Sequence, residues 1–254
     1  MGKTIKKVIC TLLFLTLCTS TVLLAYLHFF APDEENLSGE WITQMDMKAQ
    51  AAVTALDWLQ DIEAISLSLE EMEAYLPDLS IQVHLTLEQT APFAGTFHSS
   101  ILPESYVACR QAAYEALAMA FLDLLAKRLH MAGFPDATDR GTLEALVQET
   151  FGMSTFSYLT TYGPALLPTL EEFQARYDGS GTYQSADGIL TWRFDSPGNA
   201  LSEISECYIR KGNYLVLTQK SGPASQGHIP GTYPVVYTLQ SQETQTMDPQ
   251  DAEY

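Results

Sequence analysis

Histidine and serine, which often carry out chemistry in proteins, are scattered along this sequence without a recognisable motif. The five histidines are far apart, and no two have the spacing of a zinc-protease motif. His84 and His98 fall on the polar side of neighbouring predicted strands, which favours solvent-facing residues over a small metal site. The sequence therefore predicts no metal site and no cofactor.

Two short glycine-containing segments could be taken for catalytic elements. A serine nucleophile is typically held on a Gly-x-Ser-x-Gly elbow, which this sequence lacks; Gly179-Ser180-Gly181 is better explained as a bend that returns the chain to a sheet. Gly152-Met153-Ser154-Thr155 is not followed by the Gly-Lys-Ser/Thr of a phosphate-binding loop, so a helix cap is the better interpretation. We expect no catalytic residue in either segment.

Acidic residues dominate the charge of the chain. There are 31 Asp and Glu against 13 Lys and Arg, which gives a formal charge of −18. A surface of this sign repels nucleic acid and anionic lipid headgroups, so nucleic acid is excluded as a partner. Carboxylate pairs such as Glu70-Glu71 and Glu171-Glu172 have no evident cleft and are interpreted as solvated helix faces. We therefore expect a non-enzymatic protein. A hydrolase that uses carboxylates brought together by the fold is a hypothesis that ranks below the two binding hypotheses given at the end of this subsection.

The aromatic residues are the more suggestive set. They come from different predicted strands and helices and could converge either as a hydrophobic core or as the wall of an apolar pocket. The candidate pocket residues are Trp41, Phe97, Tyr183, Trp192 and Tyr208.

The N-terminus carries the pattern of a membrane anchor. A basic stub, residues 1–7, precedes a nearly unbroken apolar run over residues 8–31, and acidic residues follow. About 24 residues at 1.5 Å each suffice to cross a hydrocarbon core of roughly 30 Å. The lysines predict a cytoplasmic N-terminus and an extracellular main domain, that is, a single-pass protein of the cell membrane. A cleaved signal peptide and a lipid anchor at Cys18 are the alternatives.

Alternation of apolar and polar residues predicts short antiparallel strands. It is strictest in Ile81–Glu88, where every second residue is apolar. Asp187-Gly188 and Gly212-Asn213 each separate two such segments and are typical of two-residue hairpin turns. The predicted strands, about eight in all, cover 39–45, 81–88, 95–101, 181–186, 189–194, 206–211, 214–219 and 232–239.

Two helix-permissive segments interrupt these strands, at 46–76 and 103–177. The first is rich in alanine and leucine and is expected to break near its middle. The second begins at Pro103 with an alanine-dense helix, which we expect to pack closely on the sheet or on its neighbours, and ends with a helix that opens on a capping box at Thr169.

Outside the apolar run, Cys109 and Cys207 are the two remaining cysteines. Export would permit a disulfide between them, and two free buried thiols are the alternative. The last residues, 241–254, are polar and acidic and are predicted to form a disordered tail.

The main domain opens with Gly39-Glu40-Trp41 on its first strand, followed by a meander of strands that includes Gly95-Thr96-Phe97, Gly181-Thr182-Tyr183 and Gly212-Asn213-Tyr214. This combination resembles lipocalin-like and related calycin barrels, in particular small lipocalin-like proteins exported by Gram-positive bacteria. The resemblance covers the sheet segments and implies that Trp41 closes one end of a barrel, whose interior holds side chains or one small ligand.

Together these observations predict an α+β fold. One transmembrane helix precedes a lipocalin-like domain, residues 33–240, with about eight antiparallel strands and two helical insertions. The leading functional hypothesis is a membrane-anchored binding module for a small apolar molecule or an envelope protein. The alternative is a structural or interaction protein that docks on a partner through its alanine-rich helical insert.

Overall fold

The computed structural model describes residues 14, 16–22, 36–60, 67–134, 139–195, 203–220 and 233–240. Within these ranges, no helix combines the length and the apolar composition needed to span a bilayer. Residues 16–22 are helical, whereas the rest of the predicted anchor, apart from residue 14, and the predicted tail over 241–254 lie outside the described residues.

The sheet is a closed antiparallel barrel in which each strand pairs with the next one along the chain. The barrel closes where β1 pairs with β8, through Trp41 opposite Leu239 and Ile42 opposite Thr238. The eight strands are β1 Gly39–Asp46, β2 Ser80–Ala91, β3 Ala94–Ile101, β4 Gly179–Ala186, β5 Ile189–Phe194, β6 Glu203–Lys211, β7 Tyr214–Gln219 and β8 Val235–Leu239. The predicted α+β class and the predicted number of strands are confirmed.

Alternation along each strand sends every second side chain into the barrel. In β2 the apolar residues Ile81, Val83, Leu85 and Leu87 are at most 1 % exposed, and their neighbours on the other face are half-buried. Withdrawal of these apolar surfaces from water drives the sheet to close on itself.

Tight turns join the strands at one end of the barrel. Asp187 and Gly188 have φ angles of 53° and 72°, the left-handed conformation that a two-residue hairpin needs to match the twist of its strands. The same end carries the turn at residues 92–93 and the turn at Gly212, and we call it the turn end.

The six helices that the structure describes in the main domain leave from the opposite end, which we call the helical end. Two of them connect β1 to β2 and the other four connect β3 to β4. They are α1 Lys48–Gln60, α2 Leu69–Tyr75, α3 Pro103–Met131, α4 Arg140–Phe151, α5 Thr155–Tyr162 and α6 Leu170–Tyr177. Because both insertions start at the same end, they pack against each other as one helical layer.

Local capping fixes the boundaries of these helices. The predicted capping box is present: the Thr169 side chain accepts from the Glu172 backbone amide, and the Glu172 carboxylate accepts from the Thr169 amide. Ser68 and Glu71 form a second box at the start of α2, which was not predicted. Ser154 caps α5, in agreement with the interpretation of its segment as a helix cap. That α5 is a separate helix was not predicted.

The long helix α3 is the centre of the helical layer. It contacts β2 of the barrel as well as α1, α2, α4 and α5. Its alanines Ala113, Ala116 and Ala120 are at most 1 % exposed, so neighbouring backbones come close to it, as the alanine density predicted.

Gly181 offers a direct test of the barrel geometry. A Cβ atom at this position would lie 1.9 Å from the Arg193 carbonyl oxygen of β5. We expect Gly181→Ala to lower the free energy of unfolding by about 3 kcal/mol or more, since the backbone must shift to relieve the overlap. Thr182→Ala, at the next and outward-facing position of β4, should cost less than about 1 kcal/mol. Urea unfolding followed by circular dichroism measures both, and equal losses would contradict the close approach of β4 and β5.

Candidate functional site

The five predicted pocket residues all point into the barrel. Three of them meet directly: the ring centre of Phe97 is 5.0 Å from that of Trp192 in an edge-to-face contact, and Tyr183 lies 6.3 Å from Trp192. Burial, and then the nearby Tyr208, raise the pKa of the Tyr183 hydroxyl. Trp41 lies nearer the turn end.

Trp41 closes the turn end together with a basic residue. Its indole Nε1–H donates to the Leu37 carbonyl oxygen at 2.9 Å, and the Arg210 guanidinium carbon lies 5.6 Å from the centre of its ring. This arrangement is a cation–π contact at the end of a packed barrel. Arg210 was not predicted as the partner of Trp41, because it comes from β6, which is not adjacent to β1. Its inward position, two residues beyond Tyr208 on the same strand, is the signal that would have identified it.

A buried carboxylate lies inside the barrel. Glu206 of β6 is 1 % exposed. Its oxygens accept a hydrogen bond from the Trp192 indole at 2.7 Å and one from the Tyr233 hydroxyl at 2.5 Å. A buried carboxylate needs such donors, since burial without them costs several kcal/mol. The position of Glu206 follows from strand alternation, but neither its burial nor its partners were predicted.

Hydroxyl groups surround this carboxylate. Tyr237 is fully buried, and its pKa is raised well above 10, first by burial and then by the nearby Glu206 and Tyr233. Burial and the hydrogen bond to Glu206 likewise raise the pKa of Tyr233. The hydroxyl oxygens of Tyr237, Tyr183 and Ser99 have no hydrogen-bond partner among the described residues. The interior therefore contains polar groups in an otherwise apolar environment.

Side chains nevertheless fill the space that a ligand would need. The inward residues midway along the strands, including Leu85, Leu190, Trp192, Leu215 and Tyr237, have no surface accessible to a water-sized probe. An eight-stranded barrel is just wide enough to be filled in this way. The described residues thus form a packed core, and the predicted pocket residues are part of it.

The two histidines considered as metal ligands are diagonal neighbours on adjacent strands and do not face each other directly. His84 and His98 sit on the outer face of β2 and β3, where His84 is opposite Ser100 and His98 is opposite Thr86. Among the described residues, no group of three or more potential metal ligands is present.

The two cysteines considered for a disulfide are free thiols on separate elements. Cys109 is buried in α3, and Cys207 is half-buried on the outer face of β6. The bridge that export would permit between them is therefore not formed in this structure. Burial, with a smaller effect of Asp46, raises the pKa of the Cys109 thiol to about 11, which keeps it protonated and unreactive at neutral pH.

The helical layer carries a second aromatic cluster, which was not predicted. Trp58 of α1, Phe121 of α3, Tyr158 and Tyr162 of α5 and Phe151 of α4 form a continuous series that we call the aromatic row. Ring centres are 6.1 Å apart from Trp58 to Phe121 and 6.5 Å from Phe121 to Tyr158. Tyr158 is then 4.4 Å from Phe151 and 5.6 Å from Tyr162. The row therefore crosses four helices.

Unlike the barrel cluster, the aromatic row reaches the surface. Tyr162 is 63 % exposed and Phe151 46 %, and the other three rings are half-buried. The relative position of α4 and α5 is fixed because the Glu144 carboxylate accepts from the Thr155 amide at 2.9 Å and from its hydroxyl at 2.6 Å. The spacing of Tyr158 and Tyr162, one helical turn apart, is the only signal of the row in the sequence.

The closed, eight-stranded antiparallel barrel is consistent with a calycin-like fold. No protein-family model, no curated protein and no solved structure matches the chain.

Removal of the buried carboxylate tests its structural role. We expect Glu206→Ala to lower the free energy of unfolding by about 3 kcal/mol, because it removes the acceptor of the buried Trp192 indole and the half-buried Tyr233 hydroxyl and leaves a cavity in a packed core. Glu203→Ala is the matched control on the same strand. It removes only an exposed ion pair with Arg193 and should cost less than about 1 kcal/mol. Equal shifts in the urea midpoint would contradict a structural role of Glu206.

For Tyr237 we predict the opposite effect on stability from that of Glu206→Ala. Since its hydroxyl lacks a partner among the described residues, Tyr237→Phe should leave stability at pH 7 unchanged or raise it by up to about 1 kcal/mol. The raised pKa of the folded state means that the unfolded chain releases this proton first, so stability falls as the pH rises above about 10. The variant should lose less stability between pH 9 and roughly pH 11 than the parent protein. Denaturant titrations at both pH values measure this difference, and destabilisation at pH 7 would contradict the prediction.

Proposed function

We propose that this chain is a non-enzymatic, membrane-anchored extracellular binding module that docks on an envelope protein through its helical layer. The observation that carries the proposal is the partly exposed aromatic row, which crosses α1, α3, α4 and α5. Monomeric proteins seldom expose large contiguous apolar patches, and such patches are typical of interaction sites.

The composition of the row suits a protein interface. Aromatic side chains contribute much of the binding energy at protein interfaces, because they bury a large area and lose few rotatable bonds. The two exposed rings, Phe151 and Tyr162, can contact a partner directly, and both pack on the half-buried ring of Tyr158. The neighbouring helices hold the row in place, so little ordering is required on binding.

The charge of the chain favours one kind of partner. The chain carries a formal charge of −18, and exposed acidic residues such as Asp57 and Glu149 stand beside the row in sequence. A partner with apolar anchors surrounded by Lys and Arg would complement this surface and be steered towards it. A second copy of this chain would instead bring two acidic surfaces together.

The barrel interior is the less favoured site. A small apolar ligand there would have to displace packed side chains such as Trp192 and Tyr183, which are at most 2 % exposed. For a hydrolase, the described residues provide a buried Glu206 that is engaged in structural hydrogen bonds and lacks access to substrate.

The anchor and the location outside the cell are part of this proposal. They are supported by the length of the apolar run over residues 8–31 and by the lysines before it. The similarity to small lipocalin-like proteins exported by Gram-positive bacteria, based on Gly39-Glu40-Trp41 and the strand meander, supports the same location. An exported module with a rigid barrel and a separate helical layer is consistent with the N-terminal pattern and with this similarity.

Site-directed photo-cross-linking of the full chain in intact producing cells tests the docking surface. A benzophenone side chain is placed at Tyr162 in the aromatic row or, as a control, at Tyr214 near the turn end, which is similarly exposed at 54 %. We expect one adduct of defined mass from position 162 and none from position 214. Phe151→Ser should lower the adduct yield about 5- to 30-fold, as the loss of one important interface aromatic does.

Several outcomes would count against docking through the row. Equal adducts from positions 162 and 214 would indicate non-specific contact, and an adduct with the mass of two copies of this chain would indicate self-association. Circular dichroism melting of Phe151→Ser checks that the variant is folded. Its ring is 46 % exposed, so we expect only a small loss of stability.

A further inference from the structure

A surface groove of about 440 Å³ lies between α1 and α6, apart from the aromatic row. Its floor is apolar and buried, formed by Leu167, Phe173 and Tyr177. Gln50 of α1 and Arg176 of α6 stand at its rim. The volume falls within the range of small-molecule sites, and an apolar floor with few polar groups is their usual composition.

The walls of the groove are held in place by α3. The Tyr106 hydroxyl donates to the Pro168 carbonyl oxygen at 2.9 Å, and the Tyr114 hydroxyl donates to the Pro164 carbonyl oxygen at 2.8 Å. Two hydrogen bonds thus fix the segment that connects α5 to α6. The Tyr106 ring also packs edge-to-face on Phe173, with ring centres 5.8 Å apart. The groove is therefore present before any ligand binds, which lowers the cost of binding.

Among the described residues that line this groove, Arg176 is the only cation. Its natural partner one turn earlier, Glu172, is already engaged: the Glu172 carboxylate accepts from the Thr169 amide at 2.8 Å and from its hydroxyl at 3.0 Å. Arg176 forms no ion pair with another described residue, and its guanidinium carbon lies 5.5 Å from the centre of the Tyr177 ring. A guanidinium at the rim of an apolar groove is suited to a planar anion, which it can bind through two parallel hydrogen bonds.

We propose that this groove binds an organic monocarboxylate with an apolar body, its carboxylate on Arg176 and its body on Phe173 and Tyr177. A single guanidinium can form a bidentate contact with a single carboxylate, which favours a monocarboxylate over a ligand with several acidic groups. Phosphates and other polyanions are disfavoured, because Glu172 lines the same groove and the whole chain carries a charge of −18. The site is separate from the aromatic row, so it adds a small-molecule function to the proposed docking function and does not depend on it.

Octanoate and octan-1-ol are suitable probes, because they share an apolar body and differ in charge. Isothermal titration of the full chain in nanodiscs, with empty nanodiscs as the blank, should give saturable binding of octanoate at least 10-fold tighter than that of octanol. Arg176→Gln should reduce this ratio to about 1 by weakening octanoate alone, in line with the loss of a charge-assisted bidentate contact. Arg176→Lys should restore part of it.

Two further variants make the test specific to the groove. Arg110→Gln is the matched control, since Arg110 also lies over a tyrosine, 5.3 Å from the Tyr114 ring centre, but does not line the groove; it should leave both affinities unchanged. Ala165→Trp, at an exposed position of the lining, should weaken octanoate and octanol together by filling the space. Absence of saturable binding, equal affinity for the two probes, or octanoate binding that survives both Arg176→Gln and Ala165→Trp would overturn the proposal.

Discussion

Closure of the barrel through β1 and β8 is the constraint on which the rest of the structure depends. Once Trp41 pairs with Leu239, every strand has two neighbours and each inward position must fit a space of fixed width. Large rings such as Trp192 and Tyr183 fill it in the middle, and the Trp41–Arg210 contact closes the turn end. Closure also removes free sheet edges, so the barrel offers no edge to which another chain could add a strand.

The same closure explains the polar groups in the core. Inward positions on β6 occur at every second residue, and one of them is Glu206, which cannot turn outward without a shift of the whole strand. The carboxylate is tolerated because Trp192 and Tyr233 donate to it. Tyr233 lies two residues before β8, so this interaction links the start of the last strand to β6, in addition to the short β1–β8 pairing. We interpret Glu206 as a structural residue that secures the closing strand. Removing this acceptor alone would leave its donors unsatisfied, and the desolvation cost of an unsatisfied donor exceeds the net gain from one hydrogen bond.

The strands could be predicted from the sequence because their signals are local. Alternation in Ile81–Glu88 and the turn at Asp187-Gly188 each depend on a few neighbouring residues, and the capping box at Thr169 needs only four. The aromatic row could not be predicted, because its rings come from four helices whose packing depends on α3. The packed interior could not be predicted either. Alternation along the strands predicts which side chains point inward, but not whether their volumes fill the barrel.

The direction of the barrel constrains how the proposed module would meet its partner. β1 begins at the turn end, and only about eight residues separate Gly39 from the end of the proposed anchor, a reach of at most ~27 Å. The helical layer starts at the other end, roughly 20 Å farther along the strands. An anchored chain would thus be tethered through the turn end of the barrel, and its acidic surface would be repelled by anionic headgroups. This geometry favours a partner whose binding surface projects beyond the lipid headgroups over one embedded within the bilayer.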